Sequence, residues 1–284
     1  MRDDFAVFIT SHNSPDCCPS LVSLRDAGYT GLAYIVVDDK DPALSAYYDF
    51  YSKDKLCVFS KEDYVQTLDI GMSKITPQLA AVLYARAYVE NIAKMMGLRY
   101  FMVLDDDIIG FRFRMPVDNK LISIPAHNMD QILEAYLAYI ESTDIVCLSF
   151  ANDGSFIGGV SSYEKILERR SCHTIFIRDV SKPFEWSFAV NEDYISSLRM
   201  ANIGKLLYTM PFVQRVITGM NNREDAKSGM ANMYKTTTEF QRAFYATVAR
   251  PDVCKPSVYN GRYVISVNKG SAYPKLISDK YRLL

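Results

Sequence analysis

Short apolar runs that end in polar or acidic residues recur along the first third of the chain. They cover residues 5–10, 34–37, 56–60 and 100–104. Unbroken apolar runs of this length are typical of strands that are buried on both faces of a parallel sheet. The pattern therefore predicts a sheet whose strands end in polar side chains along one edge.

Helical patterns lie between these runs. Ser14 and Pro15 favour a helix that starts near residue 16 and ends at Gly28. Pro77 opens a helix over residues 78–96, which ends at Gly97. The predicted order over the first 104 residues is strand, helix, strand, strand, helix, strand. Further helices are predicted over residues 129–141, 191–202 and 237–248, and further strands over residues 108–114, 145–150, 172–178, 205–210 and 263–267.

This alternation predicts an α/β domain with a Rossmann-type, mostly parallel sheet that is flanked by helices. The 284 residues contain no internal repeat, low-complexity linker or clear domain boundary. We expect residues 1–110 to form a nucleotide-binding half and residues 111–220 an acceptor and catalytic half. Residues 221–284 would then add a C-terminal loop and elaboration.

Three consecutive carboxylates, Asp105, Asp106 and Asp107, follow the apolar run at residues 100–104. Ligands of parallel α/β sheets bind at the carboxyl ends of the strands, where these acids lie. In an extended segment Asp105 and Asp107 face one way and Asp106 the other, and two carboxylates on one face suit Mg2+ or Mn2+ carrying substrate phosphates. The alternative is an acidic turn with a solvated carboxylate and a helix cap. The position after a buried strand favours the metal site.

Two acidic pairs end or begin other predicted elements. Asp38 and Asp39 end the second strand, where an acid either binds a ribose hydroxyl or base edge or lies in a solvated turn. Glu192 and Asp193 begin a helix, where an acid acts either as a general base on an attacking hydroxyl or only on the helix dipole. No GxGxxG follows the first strand and no GxxxxGK[ST] occurs, which argues against NAD and a P-loop.

Acceptor contacts are predicted from three residues. Trp186, the only tryptophan, either stacks on a sugar or base or belongs to the core. Gly158 and Gly159 form a glycine pair where backbone can approach a ligand closely.

Basic and histidine residues complete the candidates. Arg223, Lys227 and Lys235 lie in a polar C-terminal stretch that either clamps phosphates as a closing loop or is an ordinary solvated loop. His12 borders the end of the first strand and is a candidate nucleotide contact. His173 lies in a strand-like run and is assigned to the core.

Composition excludes several classes of protein. Hydrophobic content of 49%, charged content of 23% and a formal net charge of −1 describe an ordinary globular chain without a global basic field, although a local basic groove is compatible with that total. The six cysteines show no zinc-like spacing, which favours reduced thiols. The N-terminus lacks the layout of a signal peptide, and no apolar run approaches the ~18 residues of a transmembrane helix. We therefore expect a soluble cytosolic protein.

The strand-end motifs together resemble those of GT-A glycosyltransferases. They are residues 9–13 (Ile-Thr-Ser-His-Asn), 34–39 (Tyr-Ile-Val-Val-Asp-Asp), 103–107 (Val-Leu-Asp-Asp-Asp) and 191–194 (Asn-Glu-Asp-Tyr). The resemblance implies a GT-A-like fold in which Asp105 and Asp107, as the DxD pair, hold Mn2+ or Mg2+ against the diphosphate of a nucleotide sugar. It also implies that Asp193, or Glu192, is the catalytic base. No histidine follows residue 173, so the C-terminal histidine ligand of that family is absent. The residues expected to bind the nucleotide sugar are Thr10, His12, Asn13, Asp38, Asp39, Asp106, Arg223 and Lys227.

Residues 8–16, 24–31, 34–39 and 228–235 resemble, more narrowly, phage-encoded TET-associated glycosyltransferases. That resemblance implies transfer of a sugar, from a UDP-sugar of the glucose or arabinose type, to 5-hydroxymethylcytosine or a related base in phage DNA. A protein of this kind would act in the host cytoplasm. The acceptor base would flip out of the stack, and local cations would hold the phosphates. The candidate cations are Arg112, Arg114, Lys120, Arg169 and Arg170.

Three other functions stay open. A GT-A enzyme can act on a glycan, lipid or protein, and it would then not need to bind DNA. A nucleotidyltransferase uses a related sheet and metal acids, and it would release pyrophosphate from a nucleoside triphosphate. A catalytically inactive binding module would keep its function when Asp107 is replaced by alanine.

Overall fold

The computed structural model describes residues 1–16, 18–71, 81–156, 159–161, 163, 172–217, 233 and 235–274. The strands are β1 Phe5–Thr10, β2 Leu32–Asp38, β3 Leu56–Phe59, β4 Tyr100–Asp105, β5 Ile108–Val117, β6 Lys120–Pro125, β7 Ile145–Ala151, β8 Phe176–Asp179, β9 Leu206–Ile217, β10 Cys254–Tyr259 and β11 Arg262–Val267. The α-helices are α1 Pro19–Asp26, α2 Leu44–Phe50, α3 Ala81–Met95, α4 Met129–Glu141, α5 Glu192–Asn202, α6 Glu239–Ala249 and α7 Lys269–Ala272.

Nine of these strands form one sheet in the order β3-β2-β1-β4-β8-β7-β9-β5-β6. Strand β1 pairs in parallel with β2 and β4, and β2 pairs in parallel with β3. Beyond β4 the sheet is mixed, because β7 and β9 are parallel whereas β8, β5 and β6 pair antiparallel with their neighbours. The predicted α/β layer architecture is confirmed, and its parallel block is the half that precedes the acidic triplet.

The strands of the parallel block are buried on both faces, as their unbroken apolar runs predict. Alternate residues of β4 point into two separate cores: Phe101 and Val103 into one, Met102 and Leu104 into the other. Residues of α3 and α5 cover the first face, and residues of α1 and α4 cover the second. Helix packing on both sides leaves the carboxyl edge of β1, β2 and β4 as the exposed part of this block.

Four elements were not predicted, and the last of them is the four-residue helix α7. Helix α2 has one buried residue, Tyr47, and therefore lacks the apolar stripe that marks a packed helix. Strand β6 has three consecutive half-buried positions between exposed ones and no buried residue, and β10 is recognisable only through its partner β11. The order of the first half is accordingly strand, helix, strand, helix, strand, helix, strand.

A predicted strand over residues 172–178 is wrong at its start. Strand β8 begins only at Phe176, because Thr174 has a positive φ of 67°. The amide of Ile175 donates to the carbonyl of His173 at 2.7 Å, so this segment is a three-residue turn. Positive φ is uncommon for a β-branched residue, which marks the turn as strained.

The C-terminal part packs on the first core. Helix α6 contributes Tyr245 and Ala246 to it, and the β10–β11 hairpin contributes Cys254 and packs Ile265 against it. The N-terminus of α6 carries a capping box between Thr238 and Gln241. Within the described residues, no helix is both long and apolar enough to cross a membrane.

Candidate active site

Helix α1 holds the acidic turn that joins β4 to β5. The hydroxyl of Ser20 donates to the carbonyl of Asp105 at 2.6 Å and accepts from the amide of Ile108 at 2.8 Å. The hydroxyl of Ser23 donates to the carbonyl of Ile108 at 2.9 Å. Both serines are buried, so they fix the backbone on either side of Asp106 and Asp107. Sequence reasoning missed them, because a serine in a short helix carries no distinguishing pattern.

Asp106 points to the loop that follows β1. Its carboxylate accepts from the hydroxyl of Ser11 at 2.8 Å, and that hydroxyl lies 2.7 Å from the hydroxyl of Tyr47. The backbone of His12 also hydrogen bonds to Asp106. Burial raises the pKa of Asp106, and Ser11 acts in the opposite direction. Asp106 therefore joins the acidic turn to a predicted nucleotide-binding loop.

Asp107 has a buried carboxylate oxygen, Oδ1, that accepts no hydrogen bond from the described residues. Burial, with repulsion from Asp105, raises the pKa of Asp107 to about 6, although Arg215 acts in the opposite direction. An unpartnered buried carboxylate beside a second one is costly without a cation, and a hard divalent cation prefers such oxygens. The described residues contain no assembled group of three or more possible metal ligands. The chemistry of Asp105 and Asp107 thus fits a cation that takes its remaining ligands from water and substrate.

Arg86 of α3 joins the acidic turn to α5. Its Nη1 donates to Oε1 of Glu192 at 2.5 Å, and its Nη2 donates to Oδ1 of Asp105 at 3.3 Å. The guanidinium lies over the ring of Phe176, 4.9 Å from its centroid, and over that of Trp186 at 5.7 Å. Sequence reasoning missed this residue. The sequence nevertheless places this arginine four positions after Val82, on the apolar side of the predicted helix. An arginine at a buried position requires a buried counter-ion, and this requirement could have pointed to Arg86.

The two acids at the start of α5 differ in access. Glu192 is buried against Arg86; burial raises its pKa and Arg86 acts in the opposite direction. The side chain of Asp193 is 24% exposed, and its Oδ2 lies 3.8 Å from Nδ1 of His173. Of the two predicted bases, only Asp193 combines exposure with a carboxylate that is not held by Arg86.

His173 was assigned to the core, and that assignment is wrong. The ring is half-buried and stacks on Tyr194 with centroids 5.2 Å apart. The strained turn at Thr174 holds it beside Asp193, and the Thr174 hydroxyl oxygen accepts from Nη2 of Arg215 at 2.9 Å. This turn therefore links the two acids: its Thr174 binds Arg215, which interacts with Asp107, and its His173 lies beside Asp193.

The loop after β1 is held by a buried acid that was not predicted, Asp41. Its Oδ2 lies 2.8 Å from Nδ1 of His12 and accepts from the amide of Asn13 at 3.0 Å. Thr10, the last residue of β1, donates its hydroxyl to the carbonyl of Leu104 at 3.2 Å. Thr10, His12 and Asn13 thus lie at the same sheet edge as the acidic triplet.

Asp38 and Asp39 separate at the end of β2. Asp38 is buried, forms an ion pair with Lys61 and accepts from the amide of Lys40 at 3.0 Å. Asp39 is exposed, and its amide donates to the carbonyl of Phe59 at 2.8 Å. Of this pair, Asp39 is the one whose carboxylate is accessible to a ligand.

Trp186 is buried, which favours the core alternative for this residue over acceptor stacking. It is only 5% exposed, packs edge-on against Phe176 with centroids 4.8 Å apart, and packs at a tilt against Phe184 at 4.7 Å. Its ring instead supports the guanidinium of Arg86.

The remaining candidates are not drawn into the cluster by any described contact. Gly159 has a positive φ of 66°, and a Cβ there would meet nothing within 4 Å, so no close contact at the Cβ position requires a glycine. Arg112 donates to Ser123, Arg114 lies over the ring of Phe156, and Lys120 is exposed. Gly158, Arg169, Arg170, Arg223 and Lys227 lie outside the described residues.

Comparison with solved structures finds chains of similar extent. Glucosyl-3-phosphoglycerate synthase from Mycobacterium tuberculosis, in complex with Mg2+ and UDP, has a TM-score of 0.44 and 9% identity over 93% of this chain and 86% of that one. The same enzyme with Mn2+, UDP-glucose and phosphoglyceric acid has a TM-score of 0.40 and 10% identity over 93% and 87%. These low scores establish no residue-by-residue correspondence. Comparison with curated proteins finds no match.

Comparison with protein families identifies the chain. The sequence model of one family, the TET-associated glycosyltransferases, matches residues 5–221. The match covers β1, the acidic turn, Arg86, Asp193 and the whole of β9. It spans most of the chain, as expected from the motifs at the ends of β1, β2 and β4. The protein therefore belongs to the TET-associated glycosyltransferase family and is a glycosyltransferase.

Proposed function

We propose that the protein transfers a sugar from a nucleoside diphosphate sugar, with a divalent cation, to 5-hydroxymethylcytosine or a related base in DNA. The observation that carries this proposal is the acidic turn: its backbone is held by buried serines, and one of its carboxylates has a buried oxygen that accepts no hydrogen bond from the described residues. The acceptor is suggested by the family to which the chain belongs.

Asp105 and Asp107 would hold Mg2+ or Mn2+. When bound, the cation supplies positive charge that stabilises the diphosphate leaving group. The protein contributes the fixed position of the turn through Ser20 and Ser23, and Arg86 holds Asp105 in place. Burial, together with repulsion from Asp105, raises the pKa of Asp107, and both effects favour a bound cation over the empty pair.

The nucleoside would lie against the loop after β1 and the end of β2. Thr10, His12, Asn13 and Asp39 lie on this sheet edge, and Asp106 connects it to the acidic turn through Ser11. Asp41 fixes the loop before the nucleotide sugar arrives, because its carboxylate accepts from the amide of Asn13 and contacts His12, and this reduces the entropy lost on binding. We propose UDP as the nucleotide and glucose or arabinose as the sugar. Arg223 and Lys227 remain candidates for the phosphates.

Asp193 would act as the general base. The acceptor hydroxyl oxygen attacks the anomeric carbon and its proton passes to the Asp193 carboxylate, while the bond from that carbon to the diphosphate oxygen breaks and its electron pair leaves with the diphosphate. A base at this position favours inversion of the anomeric centre. His173, 3.8 Å from Asp193, would orient the carboxylate.

The proposed roles fall to successive segments of the chain. We assign nucleotide binding to residues 1–110, acceptor binding and catalysis to residues 111–220, and a supporting role to residues 221–284. For a phage-encoded chain the site of action would be the host cytoplasm, where phage DNA is made.

The test is release of nucleoside diphosphate from a panel of nucleotide sugars with Mn2+. Plain DNA, DNA containing 5-hydroxymethylcytosine and no acceptor are compared, with Asp107→Asn as the inactive control. We expect release that only the modified DNA stimulates. Turnover that no DNA accelerates would favour a glycan, lipid or protein acceptor, and pyrophosphate release from a nucleoside triphosphate would favour a nucleotidyltransferase. No turnover with any donor would overturn the proposal.

A further inference from the structure

Residues 235–274, here called the C-terminal unit, lie beyond the part of the chain that the family model matches. The unit comprises α6, the β10–β11 hairpin and α7. It carries six Lys or Arg and two Asp or Glu, a formal charge of +4, whereas the rest of the chain has −5. The near-neutral total therefore conceals one basic unit. Its exposed cations are Lys235, Lys255, Arg262 and Lys269.

Exposed aromatic rings lie on the same unit. Phe240 and Phe244 of α6 are 45% and 42% exposed and stack on each other with centroids 5.7 Å apart. Tyr263 of the hairpin, 48% exposed, meets Phe240 edge-on at 5.2 Å. Large aromatic side chains grouped on a surface mark an interaction site more often than single exposed ones do.

The hairpin register places two of these cations and one further aromatic ring on one face of the hairpin. Val258 pairs with Tyr263, whose ring contacts the ring of Phe240, and Tyr259 pairs with Arg262. Because side chains alternate along a strand, Lys255, Tyr259 and Arg262 share the opposite face of the hairpin. All three are exposed. The unit thus presents Tyr259 together with positive charge on one face of the hairpin, and Tyr263 with Phe240 on the other.

Two hydrogen bonds attach the C-terminal unit to the helix that carries the candidate base. Nδ2 of Asn191, the residue before Glu192 and Asp193, donates to the carbonyl of Arg242 at 2.9 Å. Further along α5, the carbonyl of Leu198 accepts from Nη1 of Arg250 at 2.7 Å. A ligand that lies along α6 is therefore next to the start of α5.

We propose that the C-terminal unit docks the nucleic-acid strand that carries the acceptor base, with exposed rings stacking on bases and exposed cations contacting phosphates. This proposal rests on the DNA acceptor of the proposed function. Stacking on aromatic side chains together with a basic track is the general mode of binding for single strands. The charge of the unit favours a polyanion over an apolar peptide or a second copy of this chain, whose net charge is −1.

The test measures binding of the full chain to a fluorescent oligonucleotide of unmodified DNA, single-stranded and duplex, at low and at physiological salt. Phe240→Ala/Phe244→Ala and Lys255→Glu/Arg262→Glu are compared with a matched pair at exposed positions on and just after α2, Phe50→Ala/Lys53→Glu. We expect the two C-terminal variants to lose at least tenfold in affinity and the control pair to bind as the wild type does. The charge variant should also have a shallower salt dependence.

Donor hydrolysis without acceptor should be the same in all of these variants, and thermal melting confirms that each is folded. Wild-type affinity in both C-terminal variants, or no DNA binding by the wild type at low salt, would overturn the proposal. Binding of polyglutamate as tightly as DNA at equal salt would also overturn it and would indicate an acidic protein partner.

The two proposals can fail separately. Asp107→Asn should bind DNA normally, because Asp107 lies outside the C-terminal unit. DNA binding through the unit without any sugar transfer would retain the docking surface and discard the proposed acceptor. Sugar transfer to modified DNA that is unchanged in the C-terminal variants would retain the proposed acceptor and discard the docking surface.

Discussion

At the scale of single residues, Asp107 carries a cost in stability that the cation of the proposed function would offset. Its buried Oδ1 accepts no hydrogen bond from the described residues, and burial raises its pKa to about 6. The folded protein therefore holds a carboxylate that is ionised at neutral pH at a greater cost in free energy than in the unfolded chain. Such a group is retained when a ligand compensates for its charge.

We expect Asp107→Asn to stabilise the cation-free protein. The folded-state pKa lies above the ordinary value of 3.8, so ionised Asp107 lowers the free energy of unfolding above pH 6. At pH 8 the variant should gain about 1–3 kcal/mol in urea unfolding with a chelator present. The gain should shrink as the pH falls from 6 to 4, because the folded wild type then takes up the proton. A gain that persists unchanged at pH 4 would contradict this account.

Arg86 should be sensitive to neutral replacement. Arg86→Met leaves Glu192 buried without its counter-ion and removes a partner of Asp105, so we expect a loss of about 3–5 kcal/mol in the free energy of unfolding. The double variant Arg86→Met/Glu192→Gln should recover part of this loss, since it removes the uncompensated charge. The exposed Arg262→Met provides the control. Additive losses in the double variant would show that the two residues do not interact.

Asp193 and His173 should differ in their effects on catalysis. If Asp193 is the base, Asp193→Asn should lower kcat by about 10²–10⁴-fold with little change in the donor KM. His173→Gln, which removes only the group beside the base, should cause a smaller fall in kcat and alter the pH profile of the rate. A His173→Gln enzyme with an unchanged pH profile would assign the histidine to structure alone.

At the scale of elements, α1 determines where the acidic turn lies. Ser20 makes two hydrogen bonds to the backbone on either side of the turn, although α1 is only eight residues long. Ser20→Ala should cost about 1–3 kcal/mol in stability, because two buried backbone groups lose their partner. It should also weaken Mn2+ binding in a titration. Ser142→Ala, on the exposed C-terminus of α4, should change neither quantity.

For some elements the local sequence pattern was sufficient to predict where the element begins and ends. Helix α4 has the predicted bounds, since its apolar positions repeat with helical spacing, and β1 and β4 follow their apolar runs. Strand β8 starts later than predicted because Thr174 is held in a left-handed turn by contacts with Arg215, which is distant in the sequence. An apolar run cannot report such a contact.

At the scale of the whole molecule, the candidate site draws on elements that the sheet brings together. Strands β1 and β4 pair in register, so that Thr10 lies beside Asp105. Mn2+ together with UDP-sugar should raise the melting temperature of the wild type, because ligands that bind only the folded state stabilise it. Asp105→Asn should show a much smaller shift. Equal shifts in both proteins would place the cation elsewhere.

The amino-acid sequence by itself determined the buried strands, the polar edge at which they end, the acidic triplet and the glycosyltransferase motifs. These are properties of adjacent residues, and an unbroken apolar run is sufficient to predict that a strand is buried. Only the tertiary structure decided which acid is buried and which is accessible. Arg86 pairs with Glu192 across 106 positions, and His173 reaches Asp193 through a strained turn. An ion pair depends on how distant segments of the chain pack, and the order of residues along the chain does not specify the distance in space between two charged groups.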